Sequence, residues 1–181
     1  MQRIDTRLAG SVLIQGVVHG DARGFFTETF RRDSFAELGV TEELVQDNHS
    51  RSTRGVLRGL HYQAGQAKLV RCARGSILDV WVDLRRGSPT FGEWESAELS
   101  DENALQVFVP NGFAHGFCVT SEIADVTYKV STYYDPSLEA GIAYDDPQIG
   151  VAWPDIDLRV SERDAAAPRL ADVAESLPFT Y

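Results

Sequence analysis

The sequence contains little cysteine. Among its 181 residues only Cys72 and Cys118 carry a thiol, and both lie in apolar, strand-like runs. Two thiols do not make a metal-ligand set on their own, and disulfides are rare in cytosolic proteins. We therefore expect neither a cysteine metal centre nor a disulfide, and we expect both thiols to be buried as small hydrophobic side chains.

Long apolar runs are also missing. No stretch approaches the run of about 20 apolar residues that a membrane helix requires. The segment before Val12 carries Arg3, Asp5 and Arg7, which is not the pattern of a signal peptide. Hydrophobic residues at 43% and charged residues at 24% are ordinary for a globular protein. The sequence thus predicts one cytoplasmic domain over residues 1–181.

Positive charge is scarce relative to negative charge, and the net charge is −10. A nucleic acid would be repelled at long range by this excess, so we expect no nucleic-acid partner and, without a membrane helix, no membrane partner. An anionic ligand would therefore have to meet a local cluster of arginines.

Helical patterns are few, whereas short strand-like runs recur between turn residues. The runs are Val12–Val18, Gly24–Arg31, Val56–Gln63, Lys68–Cys72, Ile77–Leu84, Leu105–Val109, Ala114–Val119 and Ala124–Ser131. This pattern favours an all-β antiparallel sandwich or barrel. Short helices are expected at Asp33–Gly39 and after Ser161, where Ser161 and Asp164 form a cap-like S-x-x-D pattern.

The run Ile77–Leu84 is the clearest strand. Alternation places Leu78, Val80, Val82 and Leu84 on one face, and Ile77, Asp79, Trp81 and Asp83 on the other. A face with two aspartates and a tryptophan is either solvated or lines a polar cavity, and periodicity leaves both interpretations open.

Arg58 and His61 lie within the otherwise apolar run Val56–Gln63. Residues three apart point to opposite faces of a regular strand, so these side chains share a cavity only if the strand is kinked. Gly59 between them is a suitable position for a bulge. We predict that kink; the alternative is an edge strand whose polar side chains point outward.

A turn followed by a histidine occurs at Pro110-Asn-Gly-Phe-Ala-His115. The pattern P-x-G-x-x-H resembles the second metal motif of the cupin superfamily, whose fold is a small double-sheet jelly roll. The companion motif of that superfamily supplies H-x-H and a glutamate, whereas the matching region here reads His61-Tyr62-Gln63. Two imidazoles without a third close ligand are a poor site for zinc or iron. We therefore expect a cupin-like barrel without a metal.

A series of motifs runs from about Ile14 to Ala167. It comprises Asp21-x-Arg-Gly-x-Phe-x-Glu28, Gln46-Asp-Asn48, Val56-Leu-Arg-Gly-Leu-His-Tyr-Gln63, Gln66-Ala-Lys68, the segment Gly75–Arg85, Gly87-Ser-Pro-Thr-Phe-Gly92, Pro110-x-Gly-Phe-Ala-His-Gly-Phe117, Tyr128-Lys, Tyr134-Asp-Pro-x-x-Glu139, Asp146-Pro, Trp153-Pro and Ser161-x-Arg-Asp164. Because all of these occur in family order, the chain resembles the dTDP-4-dehydrorhamnose 3,5-epimerase family.

The resemblance implies an isomerase without cofactor or metal, which converts dTDP-4-dehydro-6-deoxy-D-glucose to dTDP-4-dehydro-L-rhamnose. Protons at C3 and C5, both next to the C4 ketone, leave and return on the opposite face. By this resemblance His61 is the base and Asp164 orients it. Lys68 stabilises the enolate oxygen, and Tyr128 is the acid across the sugar ring.

The resemblance also implies how the nucleotide is held. Arg23 and Arg58 match ligands of the diphosphate, Phe26 matches a residue that stacks on thymine, and Glu28 matches a ligand of base or ribose. In the family the Arg23–Glu28 segment reaches the neighbouring subunit, which implies a functional homodimer. The remaining matches to substrate contacts are Gln46, Asn48, His115, Tyr134, Glu139 and Arg163.

Two departures from the family pattern concern site residues. The loop between His61 and Lys68 is shorter than expected, which makes the position of Lys68 the least secure assignment. Arg163 stands where a lysine is common in the family.

Three other functions stay open at the level of sequence. The nearest is an epimerase that acts at C3 only, in another deoxysugar pathway. The others are a metal-dependent cupin oxygenase and a sugar-nucleotide binding module without catalysis. The combination of His61, Lys68, Tyr128 and Asp164 disfavours the binding module, because binding alone needs no acid–base set.

Overall fold

The computed structural model describes all 181 residues and consists mainly of strands. The strands are β1 (Gln2–Asp5), β2 (Val12–Gln15), β3 (Val18–Asp21), β4 (Gly24–Thr27), β5 (Gln46–Thr53), β6 (Leu57–Gln63), β7 (Lys68–Arg74), β8 (Ser76–Asp83), β9 (Trp94–Ser100), β10 (Leu105–Val109), β11 (Phe113–Val119), β12 (Ile123–Val130) and β13 (Glu139–Gly141). The helices are α1 (Arg32–Glu37), α2 (Glu162–Ala165) and α3 (Leu170–Val173), which continues into a 3-10 turn at Ala174–Ser176. None of the helices is both long enough and apolar enough to cross a bilayer.

The strands form two large antiparallel sheets. One has six strands in the order β1-β2-β10-β7-β12-β5, and the other has five in the order β13-β6-β11-β8-β9. Strands β3 and β4 form a separate hairpin. Consecutive strands often lie in different sheets, as in a jelly roll. The predicted all-β, double-sheet jelly-roll fold, with short helices mainly near the C-terminus, is therefore confirmed.

The inner faces of the two sheets pack on each other. Ile77 and Trp81 of β8 belong to the core cluster between the sheets, together with Val70 of β7. Asp79 and Asp83 share that face of β8 and are both fully buried. Of the two interpretations left open by the sequence, the solvated face is therefore wrong. The opposite face of β8 packs against the C-terminal segment, including Leu170, Leu177 and Phe179.

The outer face of the six-stranded sheet is partly covered by α1. Phe35 of this helix is fully buried against Leu69 and Phe108. The helix predicted at Asp33–Gly39 is thus present as Arg32–Glu37, and Gly39 follows it with φ near +100°, a conformation that glycine adopts at low cost.

Several strand boundaries differ from those predicted. The run Val12–Val18 is divided between β2 and β3, and Gly24–Arg31 is a strand only as far as Thr27. Four strands were not predicted from the sequence, namely β1, β5, β9 and β13. Their polar residues hide the apolar alternation on which strand prediction depends, because β1 is exposed and β5 has one face toward solvent and one toward a polar cavity.

Candidate active site

A cavity of about 620 Å³ opens between the inner faces of the two sheets. Its lining combines side chains from β5, β7 and β12 of one sheet with side chains from β6, β11 and β13 of the other, and α2 lies beside it. The residues predicted for the site that line this cavity are Gln46, Asn48, Arg58, His61, Lys68, His115, Tyr128, Tyr134, Glu139, Arg163 and Asp164.

The predicted irregularity at Gly59 is present and brings Arg58 and His61 to the same cavity. The register between β6 and β11 shifts here, because His61 pairs with His115 while Arg58 pairs with Phe117. Gly59 has φ near +146°, and a Cβ atom on it would lie 2.6 Å from the Cα atom of Gly116. Only glycine fits this close approach of the two strands.

His61 is held by a carboxylate from a distant part of the chain. Its Nε2 lies 2.8 Å from Oδ1 of Asp164, and Oδ2 of Asp164 accepts a 3.3 Å hydrogen bond from the Gly59 N–H. Asp164 is also the third residue of α2, where its own N–H donates to the Ser161 hydroxyl. The helix start therefore positions the carboxylate, and the carboxylate then positions the imidazole.

The electrostatic balance at His61 favours the neutral ring. Burial lowers the pKa of His61, and this effect exceeds the opposing attraction to Asp164. With Nε2 occupied by Asp164, Nδ1 is the ring nitrogen that remains to accept a proton. A neutral imidazole oriented by a carboxylate is the arrangement expected of a general base.

Lys68 begins β7 and points into the cavity despite the short loop that precedes it. Its Nζ lies 3.4 Å from the main-chain oxygen of His61. Burial lowers the pKa of Lys68 to about 8, while the carboxylates of Glu139 and Asp79 oppose this change. The ammonium group thus lies beside the backbone of His61 at the cavity, where it can stabilise a developing oxyanion.

Tyr128 lines the cavity from the other sheet. It lies within β12, paired with Asn48 of β5 and Val70 of β7. Burial raises the pKa of Tyr128, and the nearby Glu139 carboxylate raises it further. The phenol therefore stays protonated at neutral pH, and it approaches the cavity from the sheet opposite to the one that carries His61.

Glu139 links the side chains of Tyr134 and Arg163 at one side of the cavity. Its Oε2 accepts a 3.0 Å hydrogen bond from the Tyr134 hydroxyl and lies 2.8 Å from Nη1 of Arg163. Although burial raises it, these hydrogen bonds hold the pKa of Glu139 below its usual value. Arg163 thus forms the ion pair here that a lysine at its position could also form.

The polar rim continues along β5. The side-chain amide of Gln46 donates to Oδ1 of Asn48, and its Oε1 accepts from the Tyr134 N–H. Arg58 donates from Nε to the Ser52 hydroxyl, which leaves its terminal nitrogens free within the chain. The alternation of β5 explains why Gln46 and Asn48 face the cavity together.

His115 lies deeper in the barrel than the other lining histidine. Both oxygens of the buried Asp79 contact its Nε2, at 3.0 and 2.9 Å. Asp79 was noted in the sequence only for its place on β8, and its alternation with Trp81 was the one signal that it faces inward.

Three predicted nucleotide residues do not line the cavity, and they lie on the hairpin β3–β4 or directly after it. Arg23 is paired with Asp21 at the tip of the hairpin, and Phe26 is 70% exposed. Glu28 follows the hairpin and lies 3.6 Å from Arg31. Within one chain these residues stay apart from the catalytic candidates, which is what the predicted role in a neighbouring subunit requires.

The cavity also has lining residues that were not predicted to contribute. Gln66 belongs to the motif Gln66-Ala-Lys68 without an assigned role, and no sequence pattern marks Arg159. Arg159 reaches the site because its backbone pairs with the start of β6, through hydrogen bonds between Arg159 N and Gly55 O and between Leu57 N and Arg159 O. No local sequence pattern predicts a backbone pairing between segments about 100 residues apart.

The two cavity histidines differ from a cupin metal set in their partners. His61 is bonded to Asp164 and His115 to Asp79. No group of three or more His, Cys, Asp or Glu side chains converges in the way that a bound metal ion requires. The absence of a metal stays a prediction, and these residues do not fit a cupin metal centre.

The fold and the cavity together define a class of protein. They describe a jelly roll in which a histidine base, a protonated phenol and a buried ammonium line one pocket, as proton transfer next to a carbonyl group requires. Comparison with known proteins agrees with this class and identifies one family within it. The model of the dTDP-4-dehydrorhamnose 3,5-epimerase family matches residues 5–172, and the chain belongs to this family.

Individual relatives cover nearly the whole chain. The dTDP-4-dehydrorhamnose 3,5-epimerase of Salmonella typhimurium is 49% identical over 172 residues, which is 92% of this chain and 94% of the relative. The crystal structure of dTDP-6-deoxy-D-glucose-3,5-epimerase RmlC from Legionella pneumophila, in complex with dTDP-4-keto-L-rhamnose, has a TM-score of 0.96 and 46% identity, covering 99% of this chain and 98% of that one.

A relative with a narrower reaction has the same fold. The structure of ChmJ, a 3'-monoepimerase from Streptomyces bikiniensis in complex with dTDP-quinovose, has a TM-score of 0.89 and 38% identity. It covers 94% of this chain and 89% of its own. The fold is therefore shared by epimerases that differ in the number of carbons they invert.

Proposed function

We propose that this chain catalyses epimerisation at C3 and C5 of dTDP-4-dehydro-6-deoxy-D-glucose, giving dTDP-4-dehydro-L-rhamnose for dTDP-L-rhamnose biosynthesis. The observation that carries the proposal is the convergence of His61, Lys68 and Tyr128 on one cavity, with Asp164 fixed behind the imidazole. The proposed reaction needs no cofactor or metal, because each carbon loses one proton and gains another without a change in oxidation state.

The proposed mechanism uses the two sheets as the two sides of the sugar ring. Nδ1 of His61 removes the proton from the carbon next to the ketone, and Asp164 stabilises the imidazolium that forms. The electron pair moves onto the ketone oxygen, where the Lys68 ammonium stabilises the enolate. Tyr128 then donates a proton from the opposite face, which inverts the carbon.

In the proposed function, the rim of the cavity binds the nucleotide end of the substrate, and the interior holds the reacting sugar. Arg58 and Arg163 supply positive charge at the rim of a protein whose net charge is −10. A guanidinium group suits phosphate oxygens because its N–H groups form a planar fork. In this proposal Arg58 binds the diphosphate, Gln46 and Asn48 lie along the substrate, and Tyr134 and Glu139 contact the sugar or nucleotide.

A homodimer completes the nucleotide end in this proposal. The hairpin β3–β4 exposes Phe25 and Phe26 at 62% and 70%, and Val17 and Val18 beside them are 46% and 45% exposed. Neighbouring apolar side chains of this size are unusual on a free surface and are typical of an interface. We infer that the Arg23–Glu28 segment crosses to the partner, where Phe26 stacks on the thymine of the bound nucleotide.

The proposal treats residues 1–181 as a single epimerase domain that works in the cytoplasm. Both Cys72 and Cys118 are free and buried, as suits a compartment that keeps thiols reduced. Neither nucleic acid nor a membrane is a partner in this proposal, because the substrate is a small diphosphate sugar.

Incubation of enzyme and substrate in deuterated water tests the proposed reaction. Nuclear magnetic resonance of the product should show deuterium at both C3 and C5, because each proton is exchanged when its carbon is inverted. Deuterium at C3 alone would overturn the 3,5-epimerase assignment and establish the second candidate.

That second candidate is an epimerase that acts at C3 only. The shared fold with the 3'-monoepimerase ChmJ favours it, since the two chains align over 94% of this one. The higher identity to 3,5-epimerases, 49% against 38%, favours the first candidate.

A further inference from the structure

One carboxylate in the barrel interior has no part in the mechanism above. Asp79 lies in the middle of β8 between Ile77 and Trp81, and its exposure is 0%. A carboxylate removed from water is costly unless it is paired, and removing its partner is costlier still. The groups that surround Asp79 therefore indicate what it does.

Asp79 and Lys68 lie on the inner faces of different sheets. Asp79 shares the inner face of the five-stranded sheet with Trp81, and Lys68 shares the inner face of the six-stranded sheet with Val70. Trp81 and Val70 belong to the same core cluster between the sheets, and His115, which Asp79 contacts, lines the same cavity as Lys68. Mutual attraction raises the pKa of Lys68 and lowers that of Asp79, in each case against the larger effect of burial.

His115 lies on the same inner face as Asp79 and is bound by it. Both Asp79 oxygens lie within 3.0 Å of His115 Nε2, so an ionised Asp79 requires the proton of the ring to be on that nitrogen. Nδ1 of His115 then remains as an acceptor, and no group of the chain donates a hydrogen bond to it.

We propose that Asp79 is a positioning residue for the enolate-stabilising side of the site: its buried carboxylate fixes the ring of His115 and supplies the counter-charge that keeps the Lys68 ammonium ionised. The catalytic consequence of this charge rests on the proposed epimerase function. Glu139 also raises the pKa of Lys68, and by more than Asp79 does, but its carboxylate is shared with Arg163 and Tyr134, whereas Asp79 has only the ring of His115 as a hydrogen-bond partner.

The titratable groups around Lys68 come from five strands. These are His61 on β6, Asp79 on β8, His115 on β11, Tyr128 on β12 and Glu139 on β13. Two of these five are carboxylates, and Asp79 is the one without a cationic side chain of its own. Removing the Asp79 charge should therefore shift the Lys68 equilibrium toward the neutral amine.

The sequence makes this equilibrium directly measurable, because Lys68 and Lys129 are its only lysines. A pH titration of ¹³Cε- and ¹⁵Nζ-labelled lysine by nuclear magnetic resonance gives two curves, and Lys129→Arg assigns them. We expect a Lys68 midpoint near pH 8 in the parent. In Asp79→Asn the ratio of ionised to neutral Lys68 at a given pH should fall about tenfold, which is a shift of about one unit. An unchanged midpoint would overturn the proposal.

A matched control separates this effect from general loss of a buried carboxylate. Asp125 is 6% exposed and is bonded to His49 and Arg51 on the outer side of the six-stranded sheet, away from the cavity. Asp125→Asn should leave the Lys68 titration unchanged. If it moves the Lys68 midpoint as far as Asp79→Asn does, the specific pairing is refuted.

A second variant keeps the proposal testable if Asp79→Asn does not fold. His115→Gln removes the imidazole but leaves the carboxylate, so the Lys68 midpoint should stay near its parent value or rise. A fall in this variant would show that His115, and not Asp79, sustains the charge.

The activity measurement uses the same variants. In Asp79→Asn the alkaline limb of kcat/KM should move to lower pH, while the acidic limb set by His61 stays in place. Because the lysine titration needs no substrate, an inactive parent whose Lys68 still responds to Asp79→Asn would contradict the proposed function and leave the charge pairing intact.

Discussion

The cavity between the sheets and the exposed hairpin differ in how completely a single chain builds them. In the cavity, His61, Lys68 and Tyr128 come from three strands, and partners within the chain hold the side chains of His61 and Lys68. In the hairpin, Arg23 and Phe26 protrude from the barrel with their outer surfaces exposed. In the proposed function, the chemistry therefore depends on the interior of one subunit, whereas nucleotide affinity depends on contact between subunits.

The largest expected effect is the loss of the base. His61→Ala should lower the rate of epimerisation by about 10²–10⁴-fold, because no other side chain takes the proton from the substrate carbon. Affinity for dTDP should change by less than about threefold, since the nucleotide lies elsewhere. Rate measurements and calorimetric titration of dTDP check both. His49→Ala, at an exposed histidine outside the cavity, is the control and should keep full activity.

Removal of the ammonium group should have the next largest effect. Lys68→Met should lower kcat by about 10²–10³-fold, because a buried charge that stabilises an enolate acts mainly in the transition state. Lys129→Met, which removes the other lysine at an ion pair with Asp47, should have little effect. A Lys68→Met enzyme with normal kcat would show that the cavity does not use this charge.

The hairpin should instead affect binding. Phe26→Ala should raise KM roughly tenfold with kcat nearly unchanged, because base–aromatic stacking contributes about 1–3 kcal/mol. Phe25→Ala is the matched control in the same hairpin and should affect KM less. Sedimentation analysis of both variants must show the same dimer. If the parent is a monomer, or if Phe26→Ala lowers kcat alone, the division between the two regions is wrong.

The smallest expected effects are changes in the pH dependence of kcat/KM, which should differ between the cavity variants and the hairpin variants. His61 acts as the neutral ring, so kcat/KM should fall as pH decreases through its pKa, which burial places below 6.5. Lys68 acts as the ammonium, so kcat/KM should fall as pH rises through about 8. Each limb approaches about tenfold per pH unit. In Lys68→Met the residual activity should lose the alkaline limb, while the hairpin variants keep both limbs.

The apolar strands and the order of the family motifs could be predicted from the sequence. The runs that became β6, β8 and β11 show apolar or alternating patterns because they form the core of the barrel. Gly59 between Arg58 and His61 predicted the irregularity that brings these two side chains together. The pairing of His61 with Asp164 followed from the resemblance alone, since a helix cap was the better local interpretation of Asp164.

The polar parts of the site were much harder to predict from the sequence. Strand β5 alternates between side chains that face a polar cavity and side chains that face solvent, so it carries no apolar period. The partnership of Asp79 and His115 joins two strands through a side-chain contact that no spacing rule predicts. Arg159 reaches the cavity only because a loop near the C-terminus pairs with β6.

The proposed mechanism depends most on one arrangement: the imidazole of His61 and the phenol of Tyr128 must lie on opposite sides of one sugar ring. The direct test is to incubate Tyr128→Phe with substrate in deuterated water and follow C3 and C5 by nuclear magnetic resonance. With His61 intact and the opposite acid removed, deuterium should enter these positions while the original configuration is retained. Inversion at the parent rate, or loss of exchange together with inversion, would contradict the assignment of base and acid to the two sheets.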